Sequence, residues 1–155
     1  MRILIDTNIL VDYFRSQRSS RPKNQRQAYC CQQAVQFIDR SIEQGVELSI
    51  SCHTFKELLQ YKNISVQEEK RILENLPLMC DILDTNKSIA HIAGLLSRKS
   101  AEYRDYHIED CYIAATAINY KLPLYTRNPD DFKYAPHTEL EIVVPYQYQT
   151  DDAMS

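Results

Sequence analysis

The sequence predicts an α/β fold, a three-layer α/β/α arrangement around a central parallel five-stranded sheet. Three observations lead there. Short aliphatic runs alternate with segments of helical periodicity along the 155 residues, the pattern of strands and helices wound onto a parallel sheet. The first run, Ile3, Leu4 and Ile5, is unbroken, which suits a strand covered on both faces. No repeat or linker divides the chain, so one domain is expected over residues 1–145, followed by a polar tail over 146–155 whose residues from Gln147 to Ser155 are expected to be disordered.

The elements follow in order. Asp6, Thr7 and Asn8 end the first strand with helix N-cap chemistry, and Ile9, Leu10, Tyr13 and Phe14 then repeat on one helix face. Asp6 therefore either caps that helix or stands at the carboxyl edge of the sheet, where open α/β proteins bind ligands. Arg15 to Gln27, rich in Ser, Gln and Arg around Pro22, reads as an exposed, mobile loop. Fully extended it would reach about 40 Å at roughly 3.3 Å per residue, far enough to touch phosphates outside the crevice. Ala34, Val35, Ile38 and Ile42 mark a helix over Ala28 to Gln44, stopped at Gly45.

Val46 to Ser51 alternates as a second strand and turns into a helix over Cys52 to Leu59. Ser65 with Glu68 forms a capping box for a short helix to Leu76, ended by Pro77. Leu78 to Leu83 is the third strand, and Asp84 with Thr85 caps a long helix bearing Ile89, Ile92, Ala93 and Leu96. From Ile108 to Lys121, helical spacing places Asp110 at the start of the face that carries Ile113, Ala114 and Ala117. It lies in the first turn, where the helix dipole favours an anion. Leu122 to Thr126 is the fourth strand, Arg127 to Phe132 a polar turn, and Leu140 to Val144 the fifth strand.

Composition narrows the function. A hydrophobic fraction of 44% and a charged fraction of 25% are those of an ordinary soluble protein. No apolar run reaches the roughly 18 residues of a membrane span, and the N-terminus lacks signal-peptide order, so a cytoplasmic protein with no membrane partner is expected. Two glycines leave no glycine-rich phosphate loop, which removes Rossmann and P-loop enzymes. Five cysteines without a CxxC pair read as reduced core residues. The net charge of -3 conceals an asymmetry: Arg15, Arg18, Arg21, Lys23 and Arg26 fall within thirteen residues free of acids. Setting these five aside leaves 13 basic against 21 acidic residues, a balance of -8.

The acids carry the chemistry. With parallel strands, Asp6, Glu57, Asn128 and Asp131 lie at one end of the sheet, and Asp110 joins them if its helix starts beside that crevice. Carboxylates gathered in a crevice lose solvation and repel, and a divalent cation is the simplest counter-charge. Oxygen donors without a convergent His or Cys set favour Mg²⁺ or Mn²⁺ over Zn²⁺. Such ions beside phosphates activate water and stabilise the leaving oxygen of a phosphodiester, which points to hydrolysis of nucleic acid.

Four separated motifs now carry a resemblance. Leu4-Ile5-Asp6-Thr7-Asn8, Thr54-Phe55-Lys56-Glu57-Leu58, Asp110-Cys111-Tyr112-Ile113-Ala114-Ala115-Thr116-Ala117 and Leu124-Tyr125-Thr126-Arg127-Asn128-Pro129-Asp130-Asp131-Phe132 together resemble a PIN domain over residues 1 to about 145. The resemblance implies a five-stranded parallel sheet, a Mg²⁺- or Mn²⁺-dependent endoribonuclease acting on RNA, and a helix opened by Asp110 beside the crevice. The small size is similar to VapC-like toxins of toxin-antitoxin pairs, which implies a homodimer held inactive by a small antitoxin. Asp6, Glu57 and Asp110 match the catalytic, metal-binding acids. Asn128 or Asp131 matches the fourth metal position, which leaves open whether one or two ions bind.

Thr7, Asn8 and Thr126 are expected either to orient the acids and bind phosphate or only to cap. Arg127 binds phosphate or pairs with Asp130, while Arg15, Arg18 and Arg21 are candidate substrate-binding residues or a solvated loop. His53 and His107 precede acid-bearing helices and read more readily as surface or capping residues, Glu109 as solvent-facing, and the eleven tyrosines as dispersed packing. Asn128 also permits a second reading, a non-catalytic PIN fold that binds RNA or protein, and a PIN nuclease of RNA processing without an antitoxin is a further alternative. A receiver domain or a haloacid-dehalogenase-type phosphatase fits badly, because Asp84 is a poor acceptor and the first motif is not Asp-x-Asp.

Overall fold

The computed structural model describes residues 1–149. Five parallel strands are joined by helices: β1 (Arg2–Ile5), α1 (Thr7–Arg15), α2 (Gln25–Glu43), β2 (Glu47–Ser51), α3 (Cys52–Leu59), α4 (Val66–Met79), β3 (Cys80–Leu83), α5 (Lys87–Lys99), α6 (Ile108–Tyr120), β4 (Leu124–Tyr125) and β5 (Ile142–Val143). A π-helical turn at Glu102–Tyr106 precedes α6, and a 3₁₀ turn at Pro129–Phe132 follows β4.

The strand order is β3-β2-β1-β4-β5, with each neighbouring pair parallel. The chain winds outward from β1 through β2 to β3, then returns to the other side of β1 as β4. That reversal opens a crevice between the carboxyl ends of β1 and β4. Side-chain alternation along β1 supplies both faces: Ile3 and Ile5 join the core with α1, α2, α3 and α4, whereas Leu4 joins the core with α5 and α6. All three are at most 1% exposed, as an unbroken apolar run in a central strand requires. No described helix is long and apolar enough to cross a membrane. The five cysteines are free, four of them buried, and burial pushes the Cys80 thiol up to about 12.

Several boundaries differ from the sequence expectation. α4 runs through Pro77 to Met79 rather than stopping at Leu76, because a proline in the last turn forfeits a single helical hydrogen bond and the strand begins only at Cys80. Asn86, rather than Asp84 or Thr85, caps α5 by accepting from the Ile89 N–H at 2.9 Å. α2 starts at Gln25 under an Asn24 cap, so the basic loop is shorter than expected. Packing also continues past residue 145: Tyr146 is buried, and Tyr148 packs against Tyr29 at 5.5 Å. Of the expected disordered tail, residues 150–155 lie outside the described part.

Candidate metal centre at the carboxyl end of the sheet

Asp6 leaves β1 in extended conformation and caps α1, so it is both a cap and a crevice residue. Its Oδ1 accepts from the Thr7 N–H at 2.7 Å, and its Oδ2 accepts from the Thr126 hydroxyl at 2.8 Å. Thr126, fully buried at the end of β4, accepts in turn from the Asn8 amide at 3.0 Å and the Asn128 N–H at 3.1 Å. The two strands flanking the switch point are thereby tied together through the carboxyl of Asp6. Thr7 turns the other way: its hydroxyl donates to Glu57 Oε1 at 2.7 Å and lies 3.0 Å from Thr54 Oγ1.

Asp110 enters from α6, where His107 Nδ1 lies 3.2 Å from its Oδ2. His107, Asp110 and Asp131 each bring one ligand atom within 4.8 Å of the others. Asp6, Glu57, His107, Asp110 and Asp131 line one open cleft of about 390 Å³, together with Thr7, Asn8, Arg15 and Arg127. The Asn128 side chain slightly favours the ionised form of Asp131, and Asn128 is not among the residues that line the cleft.

The electrostatics are those of a site short of positive charge. Burial, then repulsion from Asp110 and Asp131, pushes Asp6 up to about 7 against the pull of Thr126 and Thr7. Burial and the Asp131 charge push Asp110 up to about 6, although His107 opposes them. Burial also raises Glu57 and Asp131 from their ordinary values. The donor set, three or four carboxylates and one imidazole, fits a hard divalent cation, whose charge would oppose these shifts.

Other residues fall elsewhere than the sequence suggested. Arg127 pairs with Asp12, not Asp130: its Nε donates to Asp12 Oδ2 at 2.7 Å, and the Tyr146 hydroxyl donates to the same oxygen at 2.8 Å. Arg18 pairs with Glu68 on α4, while Arg15 lines the cleft and Arg21 a neighbouring pocket. Glu109 is not free in solvent but bridges to His53 Nδ1 at 2.6 Å and Lys56 Nζ at 3.2 Å, joining α6 to α3. His53 in turn stacks on Tyr112 with ring centroids 4.3 Å apart. Sequence reasoning missed Asp12 and undervalued His107. Each carried a signal: Asp12 stands three residues from buried Ile9 on the same helix face, and His107 three residues before Asp110.

The family model for the PIN domain matches residues 3–137. No curated protein matches the chain, but solved structures do. A toxin-antitoxin complex from Klebsiella pneumoniae is 28% identical, with 94% of this chain and 99% of that chain covered and a TM-score of 0.63. VapBC-1 from nontypeable Haemophilus influenzae is 19% identical at a TM-score of 0.68, covering 94% and 98%. FitAcB from Neisseria gonorrhoeae is 20% identical at a TM-score of 0.65, with the same coverage. The last two bear on the fold alone. With the acid-bearing motifs spread over β1, α3, α6 and the turn after β4, and the family match spanning all of them, the chain belongs to the PIN domain family.

Proposed function

We propose that the protein is a cytoplasmic Mg²⁺- or Mn²⁺-dependent endoribonuclease, the toxin of a type II toxin-antitoxin pair. One observation carries the reading: Asp6, Glu57, Asp110 and Asp131 line a single cleft, and each carboxyl is raised from its ordinary value. Arg127 lowers Asp131 but is held by Asp12, and the cleft acids stay raised despite it. A buried acidic set that its internal cations do not bring back to ordinary values is suited to an external cation.

In this reading Asp6, Asp110 and Asp131 hold the cation, with His107 and Glu57 beside them. When bound, the ion lowers the pKa of water and offsets charge on the phosphodiester. The chain's own groups prepare the rest. Thr126 and the Thr7 N–H fix both oxygens of Asp6, Thr7 orients Glu57, and His107 orients Asp110. Glu57, raised by burial and oriented by the Thr7 hydroxyl, takes the proton of the attacking water at its carboxylate. The water oxygen bonds to phosphorus, the P–O bond to the leaving ribose oxygen breaks, and that oxygen is protonated from solvent. Arg15 at the cleft wall receives the phosphate charge.

The antitoxin partner is supported by the Klebsiella pneumoniae likeness, that structure being a toxin-antitoxin complex matched over nearly its whole chain. A homodimer is the assembly expected with it. The reading is tested by incubating purified protein with a mixed RNA pool and Mg²⁺ or Mn²⁺, beside EDTA and Asp6→Asn controls. Metal-dependent cleavage lost in both controls is the expected result. RNA binding without cleavage in any metal would instead identify a non-catalytic binding module.

A further inference from the structure

The segment after α1, expected from sequence as a free loop, is a built cup. The Ser16 N–H bonds to the Asp12 carbonyl at 3.1 Å, and Arg71 Nη1 on α4 donates to the Gln17 carbonyl at 3.2 Å. Arg18 is anchored to Glu68. On the far side the Lys23 N–H donates to Gln27 Oε1 at 2.7 Å, and Asn24 caps α2. Between these anchors lies a pocket of about 210 Å³ lined by Arg15, Arg18, Arg21, Lys23, Ser20 and Gln27. Arg15, Arg21 and Lys23 make no ion pair among the described residues. Arg15 lines both this pocket and the acidic cleft, so the two are neighbours.

A concave group of three unpaired cations, with hydroxyl and amide donors, in a chain otherwise strongly acidic is suited to a polyanion. A phosphate here gains charge-assisted hydrogen bonds and the favourable end of the α2 dipole. Resting on the nuclease reading, we propose that this cup is a phosphate-binding subsite that holds the RNA backbone of the strand leaving the acidic cleft, with Arg15 as the residue between the two. The acidic cleft repels a polyanion until its cation is bound, so the cup supplies the attraction that keeps the strand on the protein.

The test is the affinity of a labelled single-stranded RNA 20-mer, measured by anisotropy between 50 and 200 mM salt. An Asp6→Asn parent, which leaves the RNA uncut, is compared with the same chain carrying Arg21→Ala and Lys23→Ala. Removing two phosphate contacts is expected to weaken binding roughly 10-fold at low salt and to flatten the slope of log K against log salt by about 1.4, at roughly 0.7 per contact. Arg21→Lys with Lys23→Arg, which keeps both charges, restores the parent slope, and Arg98→Ala with Lys99→Ala on α5 leaves it unchanged. Equal affinity and slope in the Arg21/Lys23 alanine variant and its parent would overturn the subsite. Free inorganic phosphate displacing the RNA at millimolar concentration would identify a small-anion site instead. Wild-type cleavage, run in parallel, separates the two proposals: cleavage with an idle cup sinks only this one, whereas no cleavage sinks the nuclease reading as well.

Discussion

Two aspartates belong to α1, Asp6 as its N-cap and Asp12 within it, and both are buried: Asp6 is 2% exposed and Asp12 1%. Their surroundings differ in kind. Asp12 receives a guanidinium at 2.7 Å and a phenol hydroxyl at 2.8 Å, so its charge is answered inside the protein. Asp6 receives uncharged donors, a backbone N–H and a threonine hydroxyl, and the charges that act on it are the carboxylates of Asp110 and Asp131. A buried carboxylate with its own cation is scaffolding. On the metal-centre reading, one without a cation is a place for an external ion, and burial beside two further carboxylates holds Asp6 at a pKa of about 7.

Substitution should separate the two most sharply. Asp6→Asn is expected to cut RNA cleavage by more than the roughly 10–100-fold that outer-sphere changes cost at metal sites, while the metal-free melting temperature at pH 8 does not fall. Asp12→Asn should do the reverse in stability, since it leaves Arg127 without its partner. Urea unfolding should show a loss of about 2–3 kcal/mol, below the roughly 3–5 of a fully buried pair because the Arg127 side chain is 24% exposed. If Asp6→Asn destabilised the apoprotein as much as Asp12→Asn, the contrast would collapse.

The same contrast fixes a pH dependence. The folded pKa of Asp6 is about 7 against an ordinary 3.8, and that of Asp110 about 6, so the folded apoprotein binds these protons more tightly than the unfolded chain. Their contribution to stability is full below about pH 4 and is lost as pH rises through 6 and 7. Melting temperature in EDTA should therefore fall between pH 5 and pH 8, and Mn²⁺ should raise it more at pH 8 than at pH 5.5. A rise of the same size at both pH values would show that the ion does not compete with these protons. The smallest effect belongs to Tyr146→Phe, which removes one hydrogen bond from Asp12 and should cost about 1 kcal/mol in urea unfolding.

Much of this was legible because the informative residues are local. An unbroken apolar strand followed by Asp6, and Asp110 at the head of an amphipathic turn, can be read from spacing alone. The cap of α5 could not: Asp84, Thr85 and Asn86 are all good caps, and only the fold selects Asn86. Nor could the partner of Arg127, because Asp130 is near in sequence whereas Asp12 is 115 residues away and is brought close by the β1–β4 pairing. The π-helical turn at Glu102–Tyr106 left no periodic signal, yet it delivers His107 to Asp110. The basic segment was visible as composition, while its shape depends on Glu68 and Arg71, contributed by α4.

The central claim, that the missing counter-charge at Asp6 is a divalent cation, is tested most directly by calorimetric titration of Mn²⁺ into the purified protein at pH 7 in buffers of different ionisation heat. The expected result is saturable binding with proton release, as the ion displaces protons from Asp6 and Asp110, with release falling toward pH 8 and binding lost in Asp6→Asn. Wild-type protein that binds no Mn²⁺, or an Asp6→Asn variant that binds it equally with no change in proton release, would contradict the account.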